Sequence, residues 1–189
     1  IKWTAISLGV DKKFLDERMN EANEQLKYMS QTIEDFRTFF KPNKEKEYFD
    51  LKVEVRKAYK ILKAILEHNN IDLQIFSKTN IEVYANEFSQ VVLNIISTAK
   101  DVLIQRNINK PKIEIYLHTD ENNIYCEIID NAGGIDEKFI GRIFEPYFTT
   151  KEHSGTGIGL YISKEIIQKH MQGTLEVKNI ENGANFIIC

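Results

Sequence analysis

Two glycine-bearing segments restrict what this chain can fold into. Asp130-Asn-Ala-Gly-Gly134-Ile closes a strand-like run, and Gly155-Thr-Gly-Ile-Gly159-Leu runs straight into an apolar, helix-patterned stretch that ends at His170. A carboxylate at the end of a strand can accept the amino group of a purine such as adenine. Glycines opening a helix let backbone N–H groups and the helix dipole face phosphates. Each segment is weak alone; together they describe both ends of a nucleotide. The run between them, about 131–158, is too long and too polar for an ordinary connection, and loops of that length are usually lids or binding loops.

The remainder of the chain bounds this reading. Its 189 residues suffice for one well-buried domain plus an accessory element. A net charge of −3 gives no reason to expect nucleic acid or an anionic membrane as partner. Cys126 and Cys189 lie far apart, so a disulfide framework is not expected and a reducing compartment fits better. No apolar run approaches the roughly 20 residues that span a bilayer. A chain beginning at Ile1, with no signal peptide, reads as a piece of a larger protein.

From Asp11 to Phe40 the apolar residues Leu15, Met19, Ala22, Leu26, Met29, Ile33, Phe36 and Phe40 alternate spacings of four and three. That is the repeat of a coiled-coil or helical-bundle face, with an amphipathic surface helix as the plainer alternative. Pro42 and the charged run 44–47 end the helix and mark a boundary. Beyond it, the periodicity predicts a helix from Val53 to His68, broken at Asn69-Asn70, and strands over Ile71–Phe76 and Ile81–Tyr84. A strong helix over Asn86–Gln105 follows, then strands Lys112–His118 and Asn123–Ile129 around a turn at Asp120. Helix Gly159–His170 and strands Thr174–Lys178 and Ala184–Ile188 complete the chain. This order predicts an α+β protein: a two-layer sandwich with a mixed, largely antiparallel sheet under three helices, preceded by a long coiled-coil-like helix.

Four ordered segments then carry a family resemblance. Gln90-Val-Val-Leu-Asn94-Ile-Ile-Ser-Thr98-Ala99-Lys-Asp101 resembles the N box of sensor histidine kinases, and Asp130-Asn-Ala-Gly-Gly134-Ile their first glycine box. Phe144-Glu-Pro-Tyr-Phe148-Thr-Thr150-Lys151 resembles the F box, and Gly155-Thr156-Gly157-Ile158-Gly159-Leu160 the second glycine box. The resemblance implies the Bergerat-type ATP fold of the gyrase, chaperone, histidine kinase and mismatch-repair superfamily over residues 49–189, with an ATP lid at about 131–158. Residues 1–41 then resemble part of the dimerisation and phosphotransfer hairpin, and 42–48 a linker.

The resemblance further implies ATP and Mg²⁺ as cofactors, a homodimer formed through helix 11–40, a response-regulator partner and no nucleic acid. It implies a cytoplasmic domain, whose parent can be anchored in the inner membrane. Asp130 would receive the adenine amino group. Ala132, Gly134, Ile135, Phe144, Thr150, Lys151 and Asp101 would line the nucleotide, and Gly155, Thr156, Gly157, Ile158, Gly159 and Leu160 would surround its phosphates. Asn94 and Thr98, one helical turn apart, would be the catalytic and metal-holding pair. Phe144, Tyr147 and Phe148 are expected to pack the lid onto the core. Asn131 either reaches the phosphates or shapes the lid, and Lys100 either approaches the phosphates or is exposed.

Three departures from the family pattern qualify the resemblance. Ala132 stands where glycine is common. Thr98 stands where asparagine normally ligates Mg²⁺; its hydroxyl is a competent but shorter ligand. None of the four histidines, at 68, 118, 153 and 170, lies in or before the long helix. Ile1–Val10 thus looks like the remnant of a first hairpin helix without its acceptor, and Cys189 like a trimmed last strand. A degenerate kinase serving as nucleotide-binding scaffold or regulator phosphatase is a second reading. A hydrolytic ATPase of the same superfamily is a third, but there a glutamate is expected where this chain has Asn94.

Overall fold

The computed structural model describes residues 12–39, 48–77, 82–150 and 155–189. The chain divides into two compact units, residues 1–43 with 151–156, and residues 44–150 with 157–189. In the first unit, α1 (Lys12–Phe39) is a continuous helix of 28 residues, about 42 Å long at the usual rise. Arg18 pairs with Glu21 at 2.6 Å and lies over the Phe14 ring. Of the expected seam, Leu15 is half-buried, whereas Met19, Ala22 and Leu26 are exposed. Phe40, the side chains of Met29, Ile33 and Phe36, and the segments 1–11 and 40–47 lie outside the described residues.

The second unit begins with β1 (Tyr48–Asp50), so the expected linker 42–48 runs into a strand. The Asp50 carboxylate accepts from the Lys52 N–H at 2.8 Å and caps α2 (Leu51–His68), a preferred residue meeting an otherwise orphan donor. The helix ends where expected: Asn70 turns left-handed at φ 53°, and the Ile71 N–H closes back on Leu66. β2 (Asp72–Ser77), β3 (Glu82–Tyr84) and α3 (Ala85–Gln105) follow, then the hairpin β4 (Lys112–Thr119) and β5 (Ile124–Asp130). Its turn is built by Asp120, which accepts from the N–H groups of Asn122 and Asn123 and from the Tyr125 hydroxyl; these bonds hold its carboxyl below the usual range.

The lid segment contains a short helix, α4 (Glu137–Ile140), which the sequence pattern did not predict. α5 (Gly159–Glu165) continues into a single π turn over Ile166–His170, and the hairpin β6 (Leu175–Ile180) and β7 (Gly183–Ile188) completes the unit. Among the described residues, β1 and β3 form a small antiparallel pair, and the main sheet has the order β2-β4-β5-β7-β6. β2 runs parallel to β4 and every other pairing in that sheet is antiparallel. The expected mixed, largely antiparallel sheet is therefore present.

Strand alternation makes the sheet two-faced. On β4, Ile113, Ile115 and Leu117 are buried while Glu114, Tyr116 and His118 are half-exposed. The buried side packs against Val91, Val92, Ile95, Ile96, Ala99 and Leu103 of α3, the most thoroughly buried helix of the unit. Leu51, Val55, Ala58 and Leu66 of α2 join this core, as do Ile162, Ile166 and Ile167 of the last helix. The apolar faces of α3 and the sheet thus fix where the ends of β5 and α5 can meet.

Gly183 opens β7 directly against the end of β5: a Cβ there would lie 1.7 Å from the Asp130 carbonyl oxygen. Gly183→Ala therefore forces the two strand ends apart and is expected to lower stability by about 3 kcal/mol or more. Gly141→Ala, whose Cβ meets nothing within 4 Å, serves as its control. Chemical denaturation of the two variants checks this, and equal midpoints would overturn it.

Candidate functional site

Asp130, at the end of β5, is nearly buried at 6% exposure. Its Oδ1 accepts from the Ala132 N–H at 2.9 Å and from the Ala184 N–H at 3.4 Å. Its Oδ2 has no hydrogen-bond partner among the described residues and retains access to solvent. Burial raises the carboxyl above its usual range, against the pull of the two N–H groups and of the Arg106 charge. The result is a shielded carboxylate with one oxygen ready for an external donor, as an exocyclic amino group requires.

The second component lies on α3. Asn94, Thr98 and Asp101 follow one another at helical spacing and share a face. Asn94 Nδ2 donates to the Gly159 carbonyl at 3.3 Å and to Ser163 Oγ at 3.2 Å, while Ser163 itself donates to the Gly159 carbonyl at 2.8 Å. Because a carbonyl only accepts, and the serine proton is already used, the amide nitrogen must face α5. Asn94 Oδ1 is thereby left as an acceptor. Thr98 Oγ1 donates its proton to the Asn94 carbonyl at 2.8 Å, which leaves its lone pairs free. Two oxygen ligands one turn apart suit a hard cation such as Mg²⁺ that keeps several of its waters. Lys100 is buried and pairs with Asp101 at 2.7 Å, so it is not the exposed lysine that was one expectation.

The glycines have separate reasons for being there. Gly157 takes φ +65°, and a Cβ on it would lie 2.4 Å from the Tyr147 carbonyl carbon and 2.7 Å from the Phe148 nitrogen. It is required by the backbone of the Phe-Glu-Pro-Tyr-Phe segment. Gly159 has an ordinary φ, and its Cβ would meet only Asn94 at 3.7 Å. Protein packing does not demand a glycine there, in contrast to Gly157. No side chain caps the helix that starts at Gly159, so its first-turn N–H groups are not consumed by a cap. Ile158 is buried and Leu160 half-buried beside it. Gly155 and Thr156 belong to the first unit, and Lys151 lies outside the described residues.

The lid differs from expectation in detail. Tyr147 is 70% exposed with φ +65°, so it does not pack the lid on the core, whereas the nearby Ile143 is buried. Phe148 packs on Phe139 of α4 at 5.4 Å, and Phe144 lies beneath the Lys164 ammonium at 4.9 Å. Thr150 is exposed. Asn131 neither reaches phosphates nor shapes the lid: its Oδ1 accepts from the Lys112 N–H and its Nδ2 donates to the Lys110 carbonyl, splicing the end of β5 to the start of β4.

Two residues outside the glycine boxes hold the lid entrance. Arg106 Nη1 donates to the carbonyls of Ala132 at 2.5 Å and Gly134 at 2.8 Å. Asn179 of β6 accepts from the Ile135 N–H and donates to its carbonyl, both at 2.7 Å. A Cβ on Gly134 would lie 2.8 Å from that amide oxygen, so glycine is required for this bracing. Both residues are polar side chains in turns or on an edge strand, positions where local sequence carries no distinguishing signal.

Comparison with known proteins agrees with this geometry. Residues 84–189 match the family described as "Histidine kinase-, DNA gyrase B-, and HSP90-like ATPase". Over 190 aligned positions, 96% of the chain, it is 27% identical to the two-component sensor PprA of Pseudomonas aeruginosa. Over 77% of the chain it is 32% identical to sporulation kinase A of Bacillus subtilis. The chain spans 20% and 24% of the lengths of these two curated relatives. It also resembles the nucleotide-free catalytic domain of the histidine kinase ThkA, with a TM-score of 0.67 and 28% identity, over 77% of this chain and 96% of that one.

The two closing glycines of the second box should separate experimentally. Gly157→Ala is expected to disturb the lid, because backbone atoms cannot yield as a flexible side chain can. Gly159→Ala should leave the thermal midpoint within about 2 °C of the parent while weakening ADP binding about tenfold. Thermal melts paired with calorimetric titration provide the check, and unchanged ADP affinity in Gly159→Ala would remove Gly159 from the ligand.

Proposed function

The chain belongs to the histidine kinase-, DNA gyrase B- and HSP90-like ATPase family, and we propose that residues 49–189 are the ATP-binding catalytic module of a two-component sensor kinase. The observation that carries this is Asp130, a buried carboxylate with one oxygen saturated by backbone donors and the other open. Adenine binds there by donating its amino group. The phosphates extend toward Gly157, Gly159 and the uncapped start of α5, where backbone N–H groups meet negative charge. Residues 1–41 form part of the dimerisation and phosphotransfer hairpin, and the exposed Met19, Ala22 and Leu26 of α1 belong to the seam of a homodimer.

Phosphoryl transfer needs positioning and electrostatic stabilisation more than covalent chemistry from the protein. Asn94, whose amide is oriented by Gly159 and Ser163, aims an acceptor oxygen at the phosphate region. An amide cannot take a proton from water, so this site favours transfer to a side chain over hydrolysis. Asn94 Oδ1 and Thr98 Oγ1 are the oxygens that would hold Mg²⁺, which would supply neutralisation of charge on the phosphate oxygens. The acceptor is a histidine of a dimerisation hairpin. A response-regulator receiver domain takes the phosphoryl group onward, in keeping with PprA being named a two-component sensor.

Thr98 gives specific support to a second reading, a nucleotide-binding scaffold or regulator phosphatase with little kinase turnover. Its hydroxyl is committed to the Asn94 carbonyl and reaches less far than a carboxamide. Calorimetric titration with ADP and a non-hydrolysable ATP analogue, with and without Mg²⁺, tests both readings. ADP is expected to bind without metal, and Mg²⁺ to strengthen the analogue only weakly. Thr98→Asn is expected to increase that metal enhancement about tenfold. Absence of any nucleotide binding would sink the ATP site, and an unchanged metal enhancement in Thr98→Asn would sink the role given to Thr98.

A further inference from the structure

We propose that Arg106 is the positioning residue of the adenine pocket: its guanidinium holds the loop after Asp130 by two carbonyl oxygens and presents its charge to the Asp130 carboxylate. The inference rests on the assignment of adenine to Asp130. Arg106 lies just beyond α3, and its N–H still closes a helical bond to Val102 at 2.9 Å, which fixes the base of the side chain. Its Nη1 carries two protons and uses them on the carbonyls of Ala132 and Gly134. Gly133, between them, takes φ +87°, and a Cβ there would lie 3.4 Å from the same nitrogen. The loop is therefore wrapped around the guanidinium.

Ala132 links the two halves of this arrangement. Its N–H donates to Asp130 Oδ1 and its carbonyl accepts from Arg106, so the arginine orients the residue that orients the carboxylate. Arg106 is also the charged side chain that offsets burial at Asp130. On β4, the neighbouring Lys112 is turned to Glu114 at 2.8 Å. On α3, Lys100 is held by Asp101. The β6–β7 hairpin presents backbone groups with Asn179 and Asn182, which hold Ile135 and Gly133. Because that hairpin braces the loop independently, loss of Arg106 need not unfold it.

The electrostatic consequence has a definite sign. Adenine donates to the ionised carboxylate, so ADP affinity falls as pH drops through the folded pKa of Asp130. Burial raises that pKa and the Arg106 charge lowers it. Removing the charge moves the acid limb of binding to higher pH.

Metal-free ADP titrations of the full chain between about pH 5 and pH 8, at low ionic strength because an exposed guanidinium is screened by salt, test this. Arg106→Gln is expected to weaken ADP about tenfold near the acid end and about threefold near the alkaline end. Arg106→Lys, which keeps the charge but loses the fork, should weaken binding uniformly and retain the parent pH profile. Protonation of ADP itself is common to all the proteins, so the ratio of affinities isolates the protein's part. Asp130→Asn should abolish the difference between the two Arg106 variants. If the parent chain binds no ADP, the adenine assignment itself falls. If the parent binds and Arg106→Gln matches it, or weakens by the same factor at every pH, the role given to Arg106 is overturned.

Discussion

A carboxylate buried at the end of a strand must be met by donors, and those around Asp130 come from separate parts of the fold. The Ala132 N–H lies in the loop that follows β5 and the Ala184 N–H on β7, while Arg106, just beyond α3, adds its charge without a hydrogen bond to the carboxylate. Burial of an unpaired charge is costly, so the two N–H groups must be in place for the carboxylate to be held, and the Arg106 charge lightens that cost. This requirement ties the sheet order, the exit of α3 and the base of the lid to one another. Gly183 shows how little slack remains, because β7 reaches Ala184 only by passing the Asp130 carbonyl where no side chain fits.

The second dependency runs through Asn94. Its amide nitrogen is occupied by Gly159 and Ser163, which ties the start of α5 to the polar face of α3. The freed oxygen and the Thr98 hydroxyl lie one turn apart on the same face of α3. The same contact makes Ser163, fully buried and otherwise an odd residue for a helix core, a necessary member of the arrangement. The β5 end and the α5 start are thus both referenced to α3, one through Arg106 and the other through Asn94.

Where sequence reasoning succeeded, the residues carried local physics. Asn69-Asn70 after α2 and Asp120 in the hairpin turn are short polar residues of the kind that break helices and satisfy nearby backbone groups, and the turns formed where they stand, whereas the Asp50 cap, upstream of the expected start at Val53, was not read. Alternation on β4 and the apolar face of α3 were equally readable. Tyr147 misled because an aromatic in a run of aromatics reads as core, whereas its left-handed backbone turns the ring outward. Asn131 misled for a related reason: its position beside Asp130 suggested the ligand, but its partners are the backbone groups of Lys110 and Lys112. The short strand β1 and helix α4 were too brief to show a period.

By itself, the sequence determined the class of fold and the order of its main helices and strands, because these depend on spacing, and its four ordered segments carried the family resemblance that implies ATP. The tertiary structure decided what those segments do to one another. It separated Gly157, demanded by the lid backbone, from Gly159, where packing makes no such demand. It oriented the Asn94 amide, and it brought Arg106 and Asn179 to the lid entrance from positions far away in the chain. Such roles depend on which carbonyl or N–H lies opposite a side chain, and only the closing of the sheet against its helices settles that.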